Sequence, residues 1–205
     1  MKTRWPWLVL AAATVLTLPG CAAPTDRDTL YQTSTIGALM EGGYDGDVSV
    51  AALLSHGDFG LGTFDALDGE MVIVDGTAYQ VRADGRARPA EANALTPFAA
   101  VTWLDADRRV ELDRTDNLAA LCAALDARLP TPNVPYAIRI DGEFEYVKVR
   151  SVPRQSKPYP RLVDVAKAQP VFEHWRIVGT LVGFRLPGYT DGINVPGYHL
   201  HFIDA

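Results

Sequence analysis

Apolar and polar positions alternate in short runs along most of this chain, and turn-forming residues cut the runs, which predicts strands more than long helices. Two short helical patterns come first, over 36–40 and 49–54. They flank Glu41-Gly42-Gly43-Tyr44-Asp45-Gly46-Asp47, whose glycines and aspartates predict a loop. A strand-rich block follows, with strands expected over 60–67, 71–74, 77–82 and 97–104. Asp75-Gly76 joins the second and third as a hairpin, because the primed turns need positive φ, and Ala83-Asp84-Gly85 repeats the turn chemistry. The clearest helix is 116–129, with Asp116 or Asn117 to cap it and Pro130 to stop it. Beyond Pro130, Pro132 and Pro135, strands over 136–140 and 144–149 flank Asp141-Gly142, which reads as a second hairpin. A short helix over 161–168, one or two strands over 172–184 and a last strand over 197–203 complete the pattern, and no fixed-period repeat appears. The class is α+β, with mixed β-sheets dominating and a few short helices, in one domain over 30–205 with a soft internal boundary near 130–135.

The front of the chain departs from this pattern. Lys2 and Arg4 precede an apolar run over 5–18, the layout of a secretory signal peptide over 1–20 and too short to span a bilayer as a helix. Leu18-Pro19-Gly20-Cys21 resembles a bacterial lipobox, in which the cysteine is acylated on sulfur and becomes the new N-terminus. The simpler alternative is a plain signal peptide with an incidental cysteine. Acyl chains at Cys21 would hold the domain to a membrane, each buried methylene contributing about 0.8 kcal/mol, with 21–29 as a tether. The expected location is therefore outside the cytoplasm, at the cell surface or the periplasmic face.

At 205 residues and 48% hydrophobic content the chain can bury a substantial core. Its net charge is -6, and removal of residues 1–20 takes away Lys2 and Arg4 and no acid, leaving -8. An acidic surface argues against a nucleic-acid partner. Of the two cysteines, Cys122 stands among Leu118, Ala119, Leu121 and Leu125, and reads as a buried helix residue rather than a nucleophile.

Candidate chemistry centres on Gly197-Tyr198-His199-Leu200-His201-Phe202. Residues two apart on a strand point to one face, so His199 and His201 can reach one point, as two imidazoles suited to Zn²⁺; a half-buried strand with paired histidines is the plainer reading. Glu70 follows a tight turn at Leu67-Asp68-Gly69, which makes it either a carboxylate brought to a site or a solvated turn residue. Arg150 ends an alternating strand, where a guanidinium can hold a carboxylate through two parallel hydrogen bonds or merely cap a strand edge. His56 and His174 read as structural. No Gly-x-Ser-x-Gly elbow, Gly-rich phosphate loop or Cys-x-x-Cys pair occurs.

Taken together, these segments resemble the α-acetolactate decarboxylase family. The carrying residues are Leu30-Tyr31-Gln32, His56-Gly57-Asp58-Phe59-Gly60-Leu61-Gly62-Thr63-Phe64, Leu67-Asp68-Gly69-Glu70-Met71, Tyr79-Gln80, Arg150-Ser151-Val152-Pro153-Arg154-Gln155, Pro158-Tyr159, Gly179-Thr180-Leu181-Val182-Gly183-Phe184 and Gly197-Tyr198-His199-Leu200-His201-Phe202-Ile203. The resemblance implies metal-dependent decarboxylation of 2-acetolactate to acetoin and CO₂. It implies Zn²⁺ or a similar divalent metal on His199 and His201, Glu70 and Arg150 as active-site residues, Thr63 within the same region, and a homodimer. It also implies a third histidine and a further glutamate beyond the last matched strand, whereas this sequence stops at Asp204-Ala205 and neither His56 nor His174 stands in that place. The expectation is weaker metal binding, impaired activity and a last strand left as a sheet edge. The competing readings are a non-catalytic, lipid-anchored binding domain that keeps the decarboxylase fold, and a metal-dependent hydrolase.

Overall fold

The computed structural model describes residues 27–204. Residues 1–26, which include the expected signal peptide, Cys21 and the first part of the expected tether, lie outside the described residues. Among the described residues no helix is long and apolar enough to cross a membrane.

The chain enters as β1 (Tyr31–Thr33), α1 (Ile36–Met40), β2 (Val48–Ser49) and α2 (Val50–Leu54). Thr35 and Ser49 cap the two helices, each accepting the amide proton of the residue three positions on. Then come β3 (Phe59–Thr63), β4 (Glu70–Val74), β5 (Thr77–Val81), β6 (Ala87–Pro89), β7 (Leu95–Thr96) and β8 (Ala99–Thr102). Six of these strands form an antiparallel sheet in the order β1-β8-β3-β4-β5-β6. Asp75 and Gly76 both have positive φ, as the hairpin reading requires.

The second half holds α3 (Leu118–Asp126), β9 (Tyr136–Arg150), α4 (Leu162–Ala166), β10 (Val171–Leu186) and β11 (Gly197–Asp204). Its three strands form a separate sheet in the order β11-β10-β9. Asn117 caps α3, and β11 pairs only with β10, so it is an edge strand among the described residues.

Two expectations are corrected. The Asp141-Gly142 hairpin does not exist: β9 runs unbroken through both residues, which lie opposite Thr180 and Gly179 of β10. The long partner strand satisfies their backbone groups, and Asp141 accepts from the Thr180 hydroxyl at 2.7 Å instead of closing a turn. The strand expected over 60–67 stops at Thr63, because Ala66 and Leu67 turn left-handed with φ of 58° and 56°. Cys122 is half-buried on α3, and burial, with Asp126 nearby, raises its thiol pKa and keeps the thiolate scarce.

Strand alternation explains how the larger sheet is covered on both faces. Met71 and Ile73 point toward α2 and pack with Val50, Leu53, Phe64 and Val101. Val72, between them, points the other way and joins Phe59, Leu61 and Ala100 against Val182, Phe184 and Leu186 of β10. This second cluster fastens the two sheets together.

Candidate active site

Glu70 opens β4 directly after the left-handed turn through Ala66, Leu67 and Gly69. His199 and His201 come from β11, opposite Phe184 and Val182 of β10. Because they are two apart on one strand, both face the larger sheet, with ring centroids 5.1 Å apart and planes at 75°. Nδ1 of His201 lies 2.9 Å from the Met71 carbonyl oxygen, and its Nε2 lies 3.7 Å from Oε2 of Glu70. A carbonyl only accepts, so Nδ1 carries a proton and donates it, which turns Nε2 toward Glu70. Nδ1 of His199 is buried and has no hydrogen-bond partner.

A cleft of about 510 Å³ runs between the sheets, lined by Glu70, Arg150, His199 and His201 and walled by side chains such as Phe172 and His174 of β10. Burial pushes the Glu70 carboxyl pKa up, with His201 and Arg150 opposing the rise. Burial, then the His201 and Arg150 charges, lower the His199 pKa to about 3, so this ring is neutral in the physiological range.

The fold thus gathers four of the five residues singled out for chemistry. Thr63 stands behind them: its hydroxyl donates to the Gly69 carbonyl at 2.7 Å, it is 3% exposed, and it does not line the cleft. His56 stacks on Tyr31 at 3.8 Å and stays away from the site, whereas His174, read from sequence as structural, faces the cleft. Gln80, whose amide holds the Asp68 carbonyl at 2.6 Å, was not singled out, and only its membership in a matched Tyr79-Gln80 pair marked it.

Two neutral imidazoles and a carboxylate are the donor types that zinc takes. The orphaned Nδ1 of His199 and the backbone-oriented ring of His201 fit a metal in kind. Among the described residues, no three His, Cys, Asp or Glu side chains are grouped closely enough to hold a metal ion.

The arrangement of two packed β-sheets is shared with solved decarboxylase structures. The crystal structure of alpha-acetolactate decarboxylase from Bacillus subtilis strain 168 superposes with a TM-score of 0.83 at 43% identity, covering 85% of this chain and 75% of that one. A Staphylococcus aureus protein described as similar to alpha-acetolactate decarboxylase matches equally well in fold, with a TM-score of 0.83, at 32% identity over 85% of this chain and 75% of that one. The chain belongs to the alpha-acetolactate decarboxylase family, whose profile matches residues 30–205. The Methanosarcina mazei alpha-acetolactate decarboxylase is 54% identical over 86% of this chain, and the Klebsiella aerogenes one is 46% identical over 91%. The chain spans 61% of the length of the first of these relatives and 72% of the second.

Proposed function

We propose that this chain decarboxylates 2-acetolactate to acetoin and CO₂, with His199 and His201 as imidazole ligands of Zn²⁺ or a similar divalent metal. The observation that carries this reading is the convergence of Glu70, Arg150, His199 and His201 on one cleft in a member of this family. A bound metal would supply Lewis acidity toward the substrate's oxygens. The protein's own groups divide the remaining work. Arg150, at the end of β9, presents a planar guanidinium that can grip the substrate carboxylate through two parallel hydrogen bonds. When the bond to that carboxylate breaks, its electron pair passes into an enediolate and CO₂ departs. Glu70, whose burial favours the protonated acid, would deliver a proton to the carbon that lost CO₂, completing acetoin. Delivery from one fixed side would yield a single enantiomer.

The proposal extends to location and assembly. Acylation at Cys21 would anchor the exported chain to a membrane, and the family resemblance implies a homodimer. Metabolic labelling with a radioactive fatty acid, lost in Cys21→Ser, tests the anchor; light scattering of the purified chain tests the dimer.

The deciding experiment incubates the purified chain with racemic 2-acetolactate, with added Zn²⁺ or with a chelator, and measures acetoin above the spontaneous background. Chelator-sensitive acetoin of one enantiomer supports the reading. Background acetoin from a folded, zinc-treated protein overturns it in favour of a non-catalytic binding domain on the same fold.

A further inference from the structure

The two peptide groups that flank Gly69 are each held by a side chain from a neighbouring strand. Thr63 on β3 donates its hydroxyl to the Gly69 carbonyl at 2.7 Å, and Gln80 on β5 donates its amide to the Asp68 carbonyl at 2.6 Å. Glu70 is the next residue, paired with Thr63 on one side and Val81 on the other. The turn needs such holding. Ala66 and Leu67 have φ of 58° and 56°, a conformation that costs a residue with a side chain roughly 1–2 kcal/mol.

The peptide between Asp68 and Gly69 is held at its N–H by the Leu67 carbonyl at 2.9 Å and at its own carbonyl by the Gln80 side chain. Gly69, at φ of 92°, tolerates either sign of φ, so this peptide can turn over without the steric penalty any other residue would impose. No other residue fits there, because an added Cβ would lie 2.4 Å from the Val81 carbonyl oxygen. The Asp68 carboxylate is drawn outward, 3.0 Å from Arg82 and 3.6 Å from Arg154, and so anchors the side chain of this residue. Its carbonyl is held by Gln80.

We infer that Gln80 is a positioning residue: by locking the Asp68–Gly69 peptide from β5 while Thr63 holds the next carbonyl from β3, it aims the Glu70 carboxyl into the cleft. Gln80 acts through the backbone and does not line the cleft. Its catalytic consequence rests on the reading of Glu70 as the reacting acid.

The test uses Gln80→Leu, which removes the donor at similar size, and Gln80→Glu, which sets a carboxylate against the carbonyl. Both should lower kcat on 2-acetolactate by about 10- to 100-fold, the effect of displacing a reacting group by about 1 Å. KM should stay near the wild-type value, and the melting temperature should move by no more than about 4 °C. Amide hydrogen exchange at Gly69 and Glu70 should quicken on the order of tenfold in Gln80→Leu, with Ile73 and Val101 unchanged. An unaltered kcat, or a loss that tracks the unfolded fraction and recovers on cooling, overturns the inference. If the wild-type chain makes no acetoin, the functional reading falls separately and exchange decides this one. Faster exchange confined to Gly69 and Glu70 then upholds the lock, and unchanged exchange there removes it.

Discussion

The imidazole of His201 donates to the Met71 carbonyl at 2.9 Å, joining an edge strand of one sheet to a central strand of the other. The bond orients the ring and leaves Nε2 on the side of Glu70, 3.7 Å from its carboxylate. His199 lacks any such partner, and the difference between the two rings separates binding from stability.

His199→Leu should stabilise the metal-free chain. It removes a buried nitrogen without a hydrogen bond, a defect that costs about 1–3 kcal/mol, and replaces it with an apolar side chain. The same change should abolish Zn²⁺ binding. Calorimetric titration and thermal melts with and without zinc check both halves.

Two glycine substitutions on the smaller sheet should have opposite signs. A Cβ on Gly183 would lie 2.0 Å from the His199 carbonyl oxygen, so Gly183→Ala must push β11 away from β10, at about 2–3 kcal/mol, and spoil the histidine pair with it. Gly142 has open space around its missing Cβ and sits inside a strand, so Gly142→Ala should stabilise by about 0.5–1 kcal/mol. Urea melts of the two variants test the contrast.

Asp141 carries a pH signature. Partial burial tends to raise its carboxyl pKa, but hydrogen bonds from Arg139 and Thr180 outweigh it and hold the group below its ordinary value. A lowered folded pKa means that the stabilisation is full above the unfolded value of about 3.9 and disappears as pH falls through the folded one. Asp141→Asn should therefore destabilise at pH 7 and have progressively less effect as the pH drops below 4, measured by denaturant midpoints across that range.

Phe184 packs edge-on to Phe59 at 6.2 Å between ring centroids, within the cluster that fastens the sheets. Phe184→Ala should cost about 3–5 kcal/mol. It should also lower activity beyond what the unfolded fraction accounts for, because Phe184 lies opposite His199. Comparing unfolding curves with acetoin rates at low temperature distinguishes the two effects.

Local chemistry decided what could be read in advance. Asp75-Gly76 forms its hairpin because both strands it joins are adjacent and short, so a turn signal suffices. The same dipeptide at Asp141-Gly142 lies mid-strand, because the pairing that overrides it comes from residues such as Thr180 and Gly179, far along the chain. The left-handed Ala66 and Leu67 carry no local signal either, since neither is glycine and the turn is held by Thr63 and Gln80 from outside it. For the site, His-x-His on a strand was legible as geometry, whereas Glu70 and Arg150 gained meaning only from the family resemblance. Gln80 was marked only by the matched Tyr79-Gln80 pair, because its bond is to a backbone oxygen, which no side-chain motif records.

The bond between Met71 and His201 spans 130 residues of chain. The sheet bearing Glu70 is complete by Thr102 and is made largely of neighbouring hairpins, so it can form early as the polypeptide leaves the ribosome. The histidines follow much later in the chain, on β11, and their docking supplies the facing wall of the cleft. A nascent chain that has reached Thr102 but not β11 thus holds one wall of the cleft without the other.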